Sequence, residues 1–126
     1  MESLPQTAQV FQGMDEYMRR CVELCRDCHD TCVSALAYGL RLGGRHTGEK
    51  HLRLMMDCAE ICRTCADFML RESSFHSRVC GVCADICESC ADSYESFGDD
   101  DFMKQCAGIC VQCATSCRQM SVTGSV

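Results

Sequence analysis

Between residues 14 and 120, small and apolar positions recur at spacings of three and four, with charged residues filling the gaps between them. That is the period of an amphipathic helix, and no stretch sustains the alternation of a strand. The pattern breaks at Leu42-Gly43-Gly44-Arg45, at Ser73-Ser74 and at Gly98-Asp99. Gly43 and Gly44 suit a helix C-terminus, while Ser73 or Ser74 and Asp99 suit N-caps. The breaks predict helices over about 14–42, 48–71, 74–96 and 100–120, in one domain spanning 1–126. Residues 1–13 form an N-terminal extension in which Pro5 opens a short helix over 4–12. Short connections make neighbouring helices antiparallel. The predicted fold class is therefore all-α: an up-down-up-down four-helix bundle with a cysteine-lined core.

The buried stripe is made of an unusual residue. Each helix carries the same run: Cys, a small residue (Ala or Val), any residue, Ile or Leu, Cys, two more residues, Cys. The runs are Cys21, Cys25 and Cys28, extended by Cys32; Cys58, Cys62 and Cys65; Cys83, Cys87 and Cys90, preceded by Cys80; and Cys106, Cys110 and Cys113, extended by Cys117. Spacings of four and three put the thiols of each helix on one face, at heptad positions a and d. Arg26, Asp30, Glu60, Arg63, Asp67, Asp85, Glu88, Asp92 and Arg118 fall on the solvent side. All fifteen cysteines of the chain are thus expected in the core.

Fifteen cysteines in 126 residues suggest a secreted disulfide scaffold at first. The N-terminal segment has no basic region followed by an apolar one, so no signal peptide is expected. The count is odd, and regular helices hold neighbouring thiols badly for the disulfide torsion. The expectation is a protein of the reducing cytosol whose cysteines bind metal. A net charge of −6 without a Lys/Arg cluster argues against nucleic acid as a partner. The absence of any run of 18 apolar residues argues against a membrane span.

Thiolates select Cu(I), zinc or iron–sulfur clusters. Two thiolates at i and i+4 can span about 4.6 Å, twice a metal–sulfur bond of ~2.3 Å, which is near-linear two-coordination. Cu(I) accepts two or three sulfurs; zinc and iron want four around each metal. The rows here are continuous, and fifteen thiols do not divide into fours. If each thiolate bridges two metals and each metal takes two thiolates, the core holds about fifteen Cu(I). Monovalent copper then replaces the thiol protons with no net buried charge, whereas Zn²⁺ at that loading leaves a large one. The alternatives are a zinc–thiolate binding protein and an iron–sulfur or thiol-based redox protein. The latter rests on the runs CRDC, CRTC, CGVC, CESC and CVQC. These read as mid-helix, without the wrapping loop of ferredoxins or the βαβ context of thioredoxins. No enzymatic turnover is expected.

Softer ligands bracket the column. Met14, Met18, Met69, His76 and Met120 gather at one end, with Phe11, Phe68 and Phe75 beside them. His51, Met55, Tyr94, Phe97 and Met103 gather at the other, with Ala35, Gly39 and acidic Asp99 to Asp101. Small residues and acidic charge make this second end the expected entrance, with His51, Met55 and Met103 as exchangeable accessory ligands. His29, at an e position, and His46, in a loop, are expected in solvent.

The fourfold cysteine repeat over residues 14–120 resembles the bacterial copper storage protein family, in particular its cytosolic branch. The resemblance implies a four-helix bundle that stores many Cu(I) ions on Cys21, Cys25, Cys28, Cys32, Cys58, Cys62, Cys65, Cys80, Cys83, Cys87, Cys90, Cys106, Cys110, Cys113 and Cys117. It implies a cytoplasmic role in copper homeostasis and a homotetramer. His51, Met55 and Met103 look like the counterparts of the family's entrance residues. Met69 and Tyr94 depart from the column where helices 1 and 4 have Cys32 and Cys117.

Overall fold

The computed structural model describes residues 14–123. The expected helix over 4–12, with Pro5 and Phe11, lies outside them. Among the described residues the chain forms α1 (Glu16–Leu42), a single 3₁₀ turn (Gly44–Thr47), α2 (Glu49–Leu70), α3 (His76–Glu95) and α4 (Asp101–Thr123), with no strand. α1 packs on α2, α2 on α3, α3 on α4, and α4 returns to α1, closing a four-helix ring.

The cysteine contacts give the directions. Cys65 meets Cys80, Cys62 meets Cys83 and Cys58 meets Cys87, so α2 and α3 run antiparallel. Cys21 meets Cys117, Cys25 meets Cys113 and Cys28 meets Cys110, so α1 and α4 do too. The bundle is up-down-up-down, as the short connections predict.

Local chemistry sets the ends. Asp15 accepts a hydrogen bond from the Tyr17 N–H at 2.7 Å and starts α1. Gly43 ends it in the left-handed region (φ 68°), its N–H donating to the Gly39 carbonyl at 2.8 Å. Two expected caps are corrected. Ser73 Oγ accepts from the Phe75 N–H at 3.1 Å, which shapes the turn before α3 instead of capping the helix, and Phe75 precedes α3 with no side-chain cap. At α4 it is Asp100, one residue beyond Asp99, whose Oδ1 accepts from the Met103 N–H at 3.1 Å.

Every cysteine is buried, and the largest other fully buried side chains are Tyr94, Met55, Met69, Met103 and Val22. The seam is thus filled by small thiols with a few bulky groups toward the ends. On the surface, Arg118 of α4 reaches Asp85 and Glu88 of α3 at 2.8 and 2.9 Å. Such exposed pairs contribute about 0–1 kcal/mol each, so the bundle rests on its core.

Candidate metal centre

The four cysteine stripes converge on the bundle axis. Sulfur–sulfur separations include 3.5 Å for Cys65–Cys80 and Cys25–Cys117, 3.6 Å for Cys28–Cys110 and Cys62–Cys87, and 3.9 Å for Cys62–Cys113. A disulfide needs about 2.05 Å, and all fifteen cysteines are free thiols. The separations fall within about 1 Å of the ~4.6 Å that spans a linear S–metal–S unit of ~2.3 Å bonds, so a pair needs to part by only about that much to span one.

Three groups bring four sulfurs within 4.8 Å of one another: Cys25, Cys65, Cys83 and Cys117; Cys28, Cys32, Cys58 and Cys110; and Cys28, Cys62, Cys87 and Cys113. Cys28 belongs to two of them. Sharing a sulfur is what bridging thiolates do, so the groups are stretches of one column. Cys21 and Cys80 extend it through Cys117 and Cys65, at 3.6 and 3.5 Å. Cys90 and Cys106 are buried toward the far end.

The thiols differ in how readily they ionise. Hydrogen bonding to Cys113 raises Cys25 and Cys62, and bonding to Cys28 raises Cys110, so these stay protonated. Burial pushes Cys106 up to about 12. Hydrogen bonds from Cys110 pull Cys32 down to about 5 and lower Cys58, while those from Cys113 lower Cys117. The first thiolates in the column therefore form where neighbouring S–H groups point inward at them.

The end expected as the entrance is packed with polar and aromatic side chains, and a surface pocket of about 360 Å³ is lined by His51, Ser93 and Phe97 among them. His51 is 7% exposed; its Nδ1 lies 2.6 Å from Ser93 Oγ, and its Nε2 is buried with no partner. Burial, with the nearby His46, lowers the His51 pKa, so the ring is neutral. It sits edge-on to Tyr94 and against Phe97. Met55 and Met103 are fully buried beneath. Tyr94 OH donates to Cys32 Sγ at 3.4 Å, so the residue that interrupts the column also caps it.

Three expectations about this end change. His46 is not in solvent: its Nε2 is 3.0 Å from Asp100 Oδ2, and its ring packs on Phe97. Asp100 is no free charge at the mouth, because it also accepts from Tyr38 OH at 2.9 Å and caps α4. Asp99 and Asp101 are exposed. Gly39 leaves no space at its own position. A Cβ on Gly39 would stand 2.8 Å from the His46 carbonyl oxygen, so Gly39 seats the 3₁₀ turn that covers the mouth. Ser93, Tyr38 and Phe102 escaped the sequence reading because their partners lie on other helices.

His29 is also drawn in, half-buried between α1 and α2 with Nδ1 2.8 Å from the Ala59 carbonyl oxygen. At the opposite end Met69 and Met120 join the core, Met14 and Met18 pack against it, and His76 Nδ1 is buried without a partner.

A model of the copper storage protein family matches residues 9–122. The cysteine-rich protein YhjQ of Bacillus subtilis is 34% identical over 108 residues, covering 86% of this chain and 99% of its own. Among solved structures, the Nmul_A1745 protein of Nitrosospira multiformis superposes with a TM-score of 0.81 at 45% identity, over 87% of this chain and 99% of its own. The Cu(I)-bound copper storage protein BsCsp3 gives 0.78 at 34% identity, over 84% and 99%. The copper storage protein Ccsp of Streptomyces lividans, loaded with 10 copper equivalents, gives 0.76 at 27% identity over 89% of both chains.

Proposed function

The chain belongs to the copper storage protein family, and from that premise we propose that its core stores many Cu(I) ions on cysteine thiolates, without catalytic turnover. The observation that carries this reading is the sharing of Cys28 between two four-sulfur groups within one continuous buried column. Discrete zinc sites keep their sulfurs to themselves, and an iron–sulfur cluster needs a cavity that a close-packed helical seam does not provide. Cu(I) fits two or three bridging thiolates at each step.

All fifteen cysteines are storage ligands in this proposal. His51, Met55 and Met103 are weaker, exchangeable ligands at the entrance, with the orphaned His51 Nε2 aimed at a metal in transit. Because Met55 and Met103 are fully buried, entry at this end needs a displacement of the 3₁₀ turn held by His46 and Asp100. The chain acts in the cytosol as a single-domain protomer of a homotetramer. A neighbour from Streptomyces lividans is described as a cytosolic copper storage protein. No helix among the described residues is long and apolar enough to cross a membrane. A net charge of −6 works against a nucleic-acid partner.

The test is anaerobic Cu(I) addition in weak buffer. The protein should stay colourless, absorb increasingly in the ultraviolet, and release about one proton per copper, since metal binding to thiols displaces protons. A brown, visible-absorbing product on reconstitution with iron and sulfide, alongside copper addition that releases no protons, would refute the reading.

A further inference from the structure

The flank of the bundle carries soft ligands that the column does not use. A groove of about 250 Å³ runs between α1 and α2, and its lining includes His29, Cys32, Met55, Met56, Glu60 and Arg63. We propose that this groove is a lateral Cu(I) site, in which His29 Nε2 and Met56 Sδ capture the ion at the surface and deliver it to Cys32. The proposal rests on the storage reading for the destination of the copper, but the site stands on its own geometry.

His29 is set up as a ligand. Its Nδ1 lies 2.8 Å from the Ala59 carbonyl oxygen. A carbonyl only accepts, so Nδ1 carries the hydrogen, and in the neutral ring Nε2 keeps its lone pair. Metal-binding histidines are oriented in this way, with the non-ligating nitrogen donating to a backbone carbonyl. Met56 is 59% exposed, a thioether standing in water one residue from the fully buried Met55. Glu60 is engaged by Arg63 at 2.9 Å, so the groove presents little net charge to attract a hard divalent ion. Imidazole and thioether are left to select a soft monovalent one.

Cys32 links the groove to the column. It lines the groove and also belongs to the group of Cys28, Cys58 and Cys110. Transfer is ligand exchange. The bonds from copper to His29 Nε2 and Met56 Sδ break, the bond to Cys32 Sγ forms, and a proton leaves to solvent from the hydrogen-bonded thiols of the column. Copper remains Cu(I), and one positive charge replaces another. Such a flank route bypasses the plug of His46, Phe97 and Tyr94 at the end of the bundle.

The experiment uses the full chain labelled with ¹⁵N-histidine and Cu(I) added anaerobically. The His29 Nε2 resonance should move within the first equivalent, ahead of His51. Uptake from a Cu(I) chelate by the double variant His29→Gln, Met56→Leu should slow by at least about tenfold, the scale on which lost metal partners are felt. Its final copper content should match the wild type. Glutamine is chosen because its side-chain amide can still donate to the Ala59 carbonyl. If the double variant misfolds, Met56→Leu alone, at an exposed position, should still slow uptake. The inference is overturned if the His29 Nε2 signal stays fixed to saturation, or if uptake rates are unchanged. A wild-type chain that fails to fill its column while the His29 signal still moves would sink the storage reading and leave the groove site standing.

Discussion

His51, Met55 and Met103 show how a single position acquires a role. Each continues the seam past the thiols: Met55 and Met103 stand three residues before Cys58 and Cys106, and His51 one step further out. An imidazole or thioether binds Cu(I) more weakly than a thiolate does, so in the proposed function an ion held there would move inward and stay. Replacing all three with Leu should slow removal of copper through this end by about tenfold or more, on the scale of losing metal-binding partners, and should slow uptake by as much once the flank site is also removed by His29→Gln, Met56→Leu. Total capacity should barely change. Stopped-flow uptake followed by metal analysis separates the two quantities. A drop in capacity at unchanged rates would make these residues storage ligands. The same outer-seam positions were legible in the sequence because they continue the three- and four-residue spacing. His46 and Asp100 were not, since their contact joins residues 54 apart across a turn whose path depends on the packed bundle. The e position of His29 predicts a solvated ring. Its carbonyl partner on α2 becomes visible only once α1 and α2 are side by side.

At the scale of elements, the cysteine repeat made the helices and their inward faces readable. A spacing of four and three has one geometric solution on a helix, and the same run on each of the four helices lets one face explain another. Caps were harder, because Ser73, Ser74, Asp99 and Asp100 are all competent and the choice depends on tertiary partners. Tyr38 and His46 converge on Asp100, which favours that residue over Asp99. Gly39 is the position where an element depends on a missing side chain. The His46 carbonyl would meet a Cβ at 2.8 Å, so the 3₁₀ turn lies against bare backbone. Gly39→Ala gains helix propensity of about 1 kcal/mol, yet it should still lower the melting temperature. Forcing the turn outward costs about 1–3 kcal/mol, as overpacking does. The lifted turn should also speed copper exchange. A more stable Gly39→Ala protein with unchanged exchange would show that the turn does not govern the mouth.

For the whole molecule, the core is an exchanger of one cation for another. Empty, it holds mostly protonated thiols that pack as small hydrophobes, with thiolates only where neighbouring S–H groups donate to them; full, it holds thiolates matched by Cu(I). The empty bundle should therefore already be helical by circular dichroism, unlike metallo-domains that fold only around their metal. Loading adds binding energy to the folded state alone, about 2.7 kcal/mol for each site at a hundredfold excess over its dissociation constant. Several filled sites should raise the melting temperature by more than about 10 °C. The column claim itself is tested most directly by anaerobic Cu(I) titration of the pure chain against a competing chelator, read as copper bound per chain. A continuous bridged column predicts saturation near about fifteen Cu(I), one per cysteine. Saturation below about four, as independent four-sulfur sites would give, would contradict it.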